Sequence, residues 1–379
     1  MISNIIQRSV SPYHPWRYIE PWKKNRKNRL IEYYRYLYLS KPPDIALVGH
    51  ITEDVLILLD SIRAESIGGM VSYAGGVLSN LGCHIGIVSI VGKNFLLKYE
   101  NYFKGLDIDM EGFHKDSEYT TRSVLTQINE KDRDFVIEHM ADMLLPHHIP
   151  KRYLGAQIFY FGPLNSFLAV KTSSGIKKIH DELPLETIKY VAKNSNAIIM
   201  VDAQGYTRVK DETGKNTWTT WDDKEEFYRY IDILKVNDYP EAALVADTED
   251  PIEAARKIYI ELQAAHKDTG HLGNEIVIVT MGKEGALVVE DSIIYHINAA
   301  IPEKVVDTTG AGDSFGAGFI WSYMQGFSAA ESAITGSIVA SYVIERLGAS
   351  GFPDKKKVEK RYMAQKKLLK PEVVGRIRK

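Results

Sequence analysis

The sequence predicts an α/β protein built on a mostly parallel sheet, with a small additional β element. From about residue 155 onward, apolar strand-like runs alternate with helical segments, which is typical of βαβ units and a parallel sheet. Residues 119–139 instead alternate polar and apolar side chains on both sides of the turn-forming run NEKDRD, which predicts a hairpin. A chain of 379 residues has enough apolar material for one large domain with appendages or for two domains.

The composition argues against several classes of function. A formal net charge of −2 and an isoelectric point near 6.6 give no overall attraction to nucleic acid or to an anionic membrane. The single Cys83 cannot form an internal disulfide, which suits a reducing cytosol. The sequence contains no long apolar run and no apolar secretory signal, so we expect a cytoplasmic protein with neither a membrane nor a nucleic acid as partner. The patterns GxxxxGKS/T, CxxC, HExxH and Gly-x-Ser-x-Gly are absent, which disfavours P-loop, zinc-dependent and serine-hydrolase chemistry.

Two basic segments lie at the ends of the predicted domain. Residues 1–43 combine aromatic side chains with the block KKNRKNR, and we expect an extension that packs on the domain or on a second subunit of a homodimer. A nucleic-acid-binding arm and an organelle-targeting segment are the alternatives for this extension. Residues 354–379 are expected to form a basic tail with a solvated amphipathic helix, and contact with a polyanion is the alternative.

The first core strand is predicted at residues 44–50, DIALVGH, because this run is apolar and ends near a glycine. Asp54 follows Gly49 by five residues. A carboxylate after a parallel strand faces the crevice in which open α/β sheets bind their ligands. Asp54 is therefore a candidate substrate-binding residue.

Residues 307–319, DTTGAGDSFGAGF, indicate a loop that opens into a buried helix, because apolar residues flank the segment. The first turn of a helix has unpaired N–H groups and carries the positive end of the helix dipole. Gly310, Ala311 and Gly312 leave these groups accessible to a phosphate in transfer. Asp313 would lie beside that phosphate, where a carboxylate can take a proton from an attacking hydroxyl. The alternative is a helix start that Asp313 only caps.

The string from Asp307 to Phe315 resembles the signature of the ribokinase-like carbohydrate kinases of the phosphofructokinase B type, and the resemblance covers roughly residues 44–353. It implies a three-layer ribokinase-like fold, with a central mostly parallel sheet flanked by helices and a small β lid from about residues 55–74 and 119–139. It also implies that Asp313 is the catalytic base and that residues 310–312 form the anion hole. ATP and Mg²⁺ are the implied cofactors. Asp307 and Thr309 match the place where many relatives bind a monovalent cation, so K⁺ is a further expected cofactor.

Other positions match the binding elements of this family. One group resembles the acidic residue and the GGxxxN element that line the sugar pocket, and a second group resembles the elements beside the nucleotide. The resemblance assigns Asp54, Gly75, Gly76 and Asn80 to substrate binding, and Asn237, Thr280, Gly282 and Gly285 to nucleotide binding.

The sequence departs from the family at the Asn-x-x-Glu element that helps to place Mg²⁺. The run is NDYPE, so Pro240 stands where the Glu is expected and Glu241 follows one residue later. Because proline fixes its backbone φ, we expect the Glu241 side chain to point elsewhere unless the backbone bulges. Glu241 is the candidate Mg²⁺ residue, acting at most through water.

Several further polar residues are pocket candidates. Arg122 and Gln127 lie in the predicted hairpin of the lid. The segment DAQGYTR is loosely similar to the family's Asp-x-Asn-x-Arg run and contributes Asp202, Gln204 and Arg208, with ordinary loop chemistry as the alternative.

The sequence therefore indicates a kinase domain at residues 44–353 that transfers the γ-phosphate of ATP to a hydroxyl of a sugar or polyol. A nucleoside or myo-inositol-type kinase of the same family is an alternative acceptor class. A non-catalytic relative with a regulatory or binding role is the alternative outside enzymes.

Overall fold

A computed structural model describes residues 41–57, 63–128, 133–172, 175–210, 214–270 and 273–378. The expected extension at residues 1–43 lies almost entirely outside the described residues, as does most of the NEKDRD turn. The described residues from Pro42 onward belong to one compact unit.

Several strands have the apolar, β-branched composition expected of a buried sheet, for example IALV at residues 45–48 and IVIVT at residues 276–280. In chain order they are Ile45–Val48 (β1), Thr52–Ile57 (β2), Arg63–Gly68 (β3), Ile85–Gly92 (β4), Asp109–Ser117 (β5), Thr121–Gln127 (β6), Arg133–His139 (β7), Ile158–Phe161 (β8), Ser166–Thr172 (β9), Gly175–Asp181 (β10), Ile198–Asp202 (β11), Arg208–Lys210 (β12), Asn216–Trp218 (β13), Ile233–Asn237 (β14), Ile276–Thr280 (β15), Ala286–Glu290 (β16), Ile293–Ile297 (β17) and Glu372–Arg376 (β18).

The helices follow the strands in the alternating order that the sequence predicts. They are Met70–Asn80 (α1), Leu97–Gly105 (α2), Leu185–Asn194 (α3), Lys224–Tyr228 (α4), Glu241–Ala246 (α5), Pro251–Thr269 (α6), Ala311–Tyr323 (α7), Ala329–Val343 (α8) and Lys355–Gln365 (α9). Short 3₁₀ turns lie at Pro146–His148, Lys151–Gly155, Ala203–Tyr206 and Gly282–Glu284.

Within the described residues, ten strands form the central sheet in the order β18-β17-β16-β15-β14-β11-β8-β1-β4-β5. The pairs from β15 through β14, β11, β8, β1 and β4 to β5 are parallel, and β15 to β18 pair antiparallel at one edge. Strand β1 shows the layering, since Ile45 and Leu47 join one apolar cluster and Ala46 and Val48 join the other. The predicted α/β fold with a mostly parallel sheet flanked by helices is confirmed.

Two small sheets lie beyond the central one. The first, in the order β3-β2-β6-β7, comes from the two segments assigned to the lid, although residues 70–74 begin helix α1 instead. The second, in the order β10-β9-β12-β13, is not predicted by the sequence. A bridge between Val136 and Lys215 joins the two sheets, and the Ile137 amide donates to the Gly214 carbonyl at 2.8 Å.

The segment after residue 353 packs on the domain. Helix α9 buries Val358, and its Arg361 donates to Glu345 at 2.8 Å while lying 3.5 Å from the centre of the Tyr342 ring. Leu369 is fully buried, and β18 extends the central sheet at β17. Across the described part of the chain, no helix combines the length and apolarity that spanning a membrane requires.

Candidate active site

The candidate site lies at the carboxyl ends of the parallel strands, where ligands bind in open α/β sheets. Asp202 ends β11, Asn237 ends β14 and Thr280 ends β15. Neighbouring strands therefore bring together residues that are far apart in sequence, and helix α7 begins beside them.

Helix α7 begins as the sequence predicts. Gly310 is its N-cap and has φ 74°, a left-handed conformation that favours glycine. The ring of Tyr73 fills the space where a Cβ on Gly310 would lie. At Gly312 a Cβ would lie 3.3 Å from Lys235 Nζ and 3.5 Å from Asn237 Oδ1, so the missing side chain keeps this space free. The first turn of α7 thus presents backbone N–H groups to a gap that an anion would fill.

Asp313 lies in that first turn and is half-buried. Burial, and next the negative charge of Asp202, raise the pKa of Asp313 to about 6, while Lys235 and Arg208 oppose the rise. A carboxyl with this pKa is largely ionised at neutral pH and is a stronger base than an exposed aspartate.

Asp54 lies in the first small sheet, on β2, and is buried. Its carboxylate accepts a hydrogen bond from the Ser123 hydroxyl on the neighbouring strand β6. Burial raises the pKa of Asp54 to about 6, against the lowering effect of the Ser123 hydrogen bond. Asp54 also contributes to the raised pKa of Asp313, so the two carboxylates belong to one electrostatic environment.

The double glycine beside Asp54 is Gly68 and Gly69. A Cβ on Gly68 would lie 1.8 Å from Asp54 Oδ2, and one on Gly69 would lie 2.2 Å from the His50 carbonyl oxygen. Gly69 is the N-cap of α1 and has φ 80°. The sequence analysis missed this pair, although the repeated GG at positions 68 and 75 was a visible signal.

In the structure, the predicted pocket glycines pack against apolar side chains. A Cβ on Gly75 would meet Ile108 at 3.2 Å, and one on Gly76 would overlap the Phe352 ring at 2.1 Å. Asn80 ends α1 and donates to the Phe352 carbonyl at 3.0 Å. Gly75, Gly76 and Asn80 lie inside α1, which begins at Met70, and their contact with substrate stays a prediction.

A buried ion pair lies beneath the start of α7. Lys235 Nζ donates to Asp202 Oδ2 at 2.6 Å, and both side chains are almost fully buried. Burial is the largest single effect and lowers the pKa of Lys235, but the charges of Asp202 and Glu241 and the hydrogen bond to Asp202 together outweigh it, so the net direction is upward. A lysine inside the apolar strand ILKVN was the signal for this residue, which the sequence analysis did not use.

Glu241 points back to Asn237. Its carboxylate accepts from the Asn237 amide N at 2.8 Å and from Nδ2 at 2.9 Å, and the Tyr239-Pro240 peptide between them is cis. The expectation that Glu241 points elsewhere is therefore wrong. Burial and the charge of Asp202 raise the pKa of Glu241 to about 7.

The residues assigned to the nucleotide lie at the same edge of the sheet. Thr280 Oγ1 donates to Asn237 Oδ1 at 2.8 Å. Gly282 and Gly285 belong to the turn between β15 and β16, where the Gly285 carbonyl accepts from the Met281 amide at 2.8 Å. Asn237 is thus held between Glu241 and Thr280.

Asp307 holds the loop that leads into α7. Its Oδ1 accepts from Thr309 N at 3.0 Å and from Thr309 Oγ1 at 2.7 Å, and its Oδ2 accepts from the Gly348 amide at 3.1 Å. These bonds fix the turn on which residues 310–312 depend. Among the described residues, no group of three or more His, Cys, Asp or Glu side chains is arranged to hold a metal ion by itself.

The remaining candidates divide between the two small sheets. Arg122 bonds Glu138 at 2.8 Å within the first sheet, and nothing is described of the Gln127 side chain. Arg208 on β12 donates to Gln204 Oε1 at 3.1 Å, and its guanidinium lies 5.2 Å from the centre of the Trp218 ring. Arg208 lowers the pKa of Asp313, which brings it into the same site.

The fold agrees with that of solved kinases. A putative ribokinase II from E. coli, solved in complex with ATP and Mg²⁺, matches with a TM-score of 0.63 and 18% identity over 85% of this chain and 99% of that chain. The likeness identifies the class of protein as one with the ribokinase fold.

The family follows from the sequence match. The model of the pfkB family carbohydrate kinases matches residues 74–356, and this chain belongs to that family. A cytidine kinase of Thermococcus kodakarensis is 24% identical over 307 residues, which is 80% of this chain and 97% of the relative. An inositol 3-kinase of Arabidopsis thaliana is 26% identical over 331 residues, which is 81% of this chain and 76% of the relative. The predicted family is confirmed, and the protein is a carbohydrate kinase, an enzyme of the transferase class.

Proposed function

We propose that this protein is an ATP-dependent kinase that transfers the γ-phosphate to a hydroxyl of a small sugar or polyol. The observation that carries the proposal is Asp313, a carboxylate with raised pKa in the first turn of a helix that has no side chain at Gly312, beside Lys235 and Asn237. Phosphoryl transfer to a hydroxyl requires a base for the hydroxyl proton and a dipole that stabilises the negative phosphate, both close to the reacting atoms.

In this mechanism Asp54 accepts hydrogen bonds from hydroxyls of the acceptor and orients it. Asp313 takes the proton of the attacking hydroxyl, and the N–H groups of residues 310–312 stabilise the charge on the phosphate oxygens. The pKa of about 6 keeps Asp313 ionised at neutral pH, so the base is ready before the acceptor binds.

Mg²⁺, when bound with ATP, would neutralise charge on the phosphates. The groups on this chain that fit it are Asn237 and Glu241, because amide and carboxylate oxygens suit Mg²⁺, Asn237 Oδ1 lies beside Gly312, and Glu241 is hydrogen-bonded to Asn237. Two protein oxygens agree with an ion that keeps most of its ligands as water and phosphate. Asp307 and Thr309 would influence the binding of K⁺ only indirectly, through the turn that they fix. Comparing turnover in K⁺ with turnover in Na⁺ tests this part of the proposal.

A nucleoside or inositol acceptor is the second candidate. The cytidine kinase relative, matched over 97% of its length, favours a nucleoside, and the inositol 3-kinase relative favours a cyclic polyol. Both acceptors carry the vicinal hydroxyls that Asp54 would bind.

A panel assay tests the proposal. ADP formation from ATP and Mg²⁺ is measured with ribose, fructose, myo-inositol, cytidine and other nucleosides, with Asp313→Asn as the matched control. We expect one acceptor class to stimulate turnover in the wild type and none in the variant. Absence of acceptor-dependent ADP formation across the panel would refute ATP-dependent transfer to these acceptors.

A further inference from the structure

Lys235 is a buried cation that the mechanism above does not use. It lies on β14, two residues before Asn237, with 1% of its side chain exposed. Its Nζ is 2.6 Å from Asp202 Oδ2, and Gly312 is the point of α7 that it approaches. A Cβ built on Gly312 would be 3.3 Å from Nζ, so the ammonium borders the space that the glycine keeps free.

The ammonium group can donate three hydrogen bonds, and Asp202 is the one acceptor recorded for it among the described residues. Burying a charged amine is unfavourable unless its donors are used. The ammonium also lies near the first turn of α7, which carries the positive end of the helix dipole, so an anion at this point would be attracted by both. The gap at Gly312 is where that anion would lie.

We propose that Lys235 is a catalytic residue that donates a hydrogen bond to the phosphoryl group during its transfer. This inference rests on the proposed function. The acceptor oxygen forms a bond to phosphorus as the bond from phosphorus to the bridging oxygen of ATP breaks. The acceptor proton passes to Asp313, and ADP leaves with the electron pair of the broken bond. Lys235 stays protonated throughout and stabilises charge on the transferring oxygens.

A double variant separates this role from simple pairing with Asp202. Lys235→Met leaves a buried carboxylate unpaired, so it is expected to lower the Tm as well as kcat. Combining Lys235→Met with Asp202→Asn removes both charges, and we expect this pair to regain much of the Tm. Its kcat should stay lower than that of Asp202→Asn alone by on the order of 10²-fold, the usual effect of losing one such donor. If the pair equals Asp202→Asn in kcat within a few-fold, Lys235 only neutralises Asp202 and the inference is overturned.

Calorimetry gives a test that does not need turnover. ATP and ADP binding are compared in the wild type, Lys235→Met and the double variant. If Lys235 contacts the transferred group, its removal should weaken ATP binding about tenfold or more relative to ADP binding, as expected for the loss of a charge-assisted hydrogen bond. Equal effects on ATP and ADP would contradict the contact. Failure of the proposed function appears separately, as an Asp313→Asn enzyme that still turns over.

Discussion

Asp54 is buried and Asp313 is half-buried, and loss of hydration is the largest cause of the raised pKa in each. Their surroundings nevertheless suit different roles. Asp54 accepts from Ser123 and stays fixed in a sheet, while Asp313 starts a helix beside the gap at Gly312. A fixed acceptor suits the binding of hydroxyls, and a base beside an anion site suits proton removal.

The pKa of Asp313 predicts the pH dependence of turnover. A general base must be ionised, so kcat should fall as the pH drops through about 6 and should level off above about 7. Asp313→Asn should lower kcat by on the order of 10²-fold or more and remove the acid limb of the pH profile, which is the fall in kcat below about pH 6. Steady-state kinetics between pH 5 and 8 measure both effects.

Asp54→Asn is the matched control for that experiment. It should raise the KM for the acceptor while keeping the acid limb of kcat, because it leaves the base in place. A limb that disappears in Asp54→Asn and persists in Asp313→Asn would reverse the two assignments.

Gly312 allows a test in which stability and activity change in opposite directions. Gly312→Ala places a methyl group 3.3 Å from Lys235 Nζ, a close contact that a small shift of the lysine side chain relieves, and alanine is favoured over glycine within a helix by about 0.5–1 kcal/mol. We expect an unchanged or higher Tm with a kcat at least about tenfold lower, since the methyl group keeps the phosphate from the N–H groups.

Gly105→Ala is the control, because Gly105 also lies in a helix and a Cβ there would meet nothing within 4 Å. It should leave kcat near wild type and the Tm unchanged or higher. A Gly312→Ala enzyme with full activity would show that the phosphate does not approach α7 at this point.

At the scale of the elements, the sequence predicted those whose pattern is local and strong. The run DIALVGH predicted β1, and the DTTGAGD segment predicted the start of α7. Helix α1 begins at Met70, directly after the pair Gly68 and Gly69, and a second GG pair lies seven residues further on inside the helix, so the pattern alone does not say which pair precedes the helix. The sequence did not predict the second small sheet. Its strand β9 pairs with β12, about forty residues away in the chain, and a local sequence pattern does not indicate such long-range pairing.

The two glycine pairs give a prediction at this scale. In Gly68→Ala the new Cβ would overlap Asp54 Oδ2, so the carboxylate must move and the acceptor KM should rise by about tenfold or more with ATP affinity unchanged. In Gly76→Ala the new Cβ would overlap the Phe352 ring, and overpacking of this kind costs about 1–3 kcal/mol of stability.

Thermal unfolding and acceptor kinetics on both variants decide between these effects. We expect a KM effect in Gly68→Ala and a Tm effect in Gly76→Ala. The reverse result would restore Gly76 to the substrate pocket and exclude Gly68 from it.

At the scale of the whole molecule, the sequence predicted the alternating α/β order because apolar runs mark buried strands. It did not predict how much of the C-terminal segment belongs to the domain. That segment reads as basic and solvated, with eleven Lys or Arg among residues 355–379, yet Val358, Arg361 and Leu369 are buried. These few buried residues determine how the segment packs. The sequence pattern does not reveal them, because most of the neighbouring residues are charged.

The two ends of the chain should therefore respond differently to truncation. Among the described residues, packing on the central sheet begins with the buried Pro43, and β1 follows at Ile45. Removing residues 1–40 should leave a folded kinase with kcat near that of the full chain.

Removing residues 354–379 should instead take away the partner strand of β17, the Arg361 donors of Glu345 and the apolar cover that Val358 and Leu369 provide. Losing buried apolar side chains costs about 1.5–3 kcal/mol each, so we expect a Tm lower by several degrees or an insoluble product. Unfolding curves and turnover of the two truncated proteins, measured beside the full chain, test this boundary. A stable, active protein ending at residue 353 would mean that the domain is complete without α9 and β18, and loss of activity on removing residues 1–40 would mean that the domain extends into the N-terminal segment.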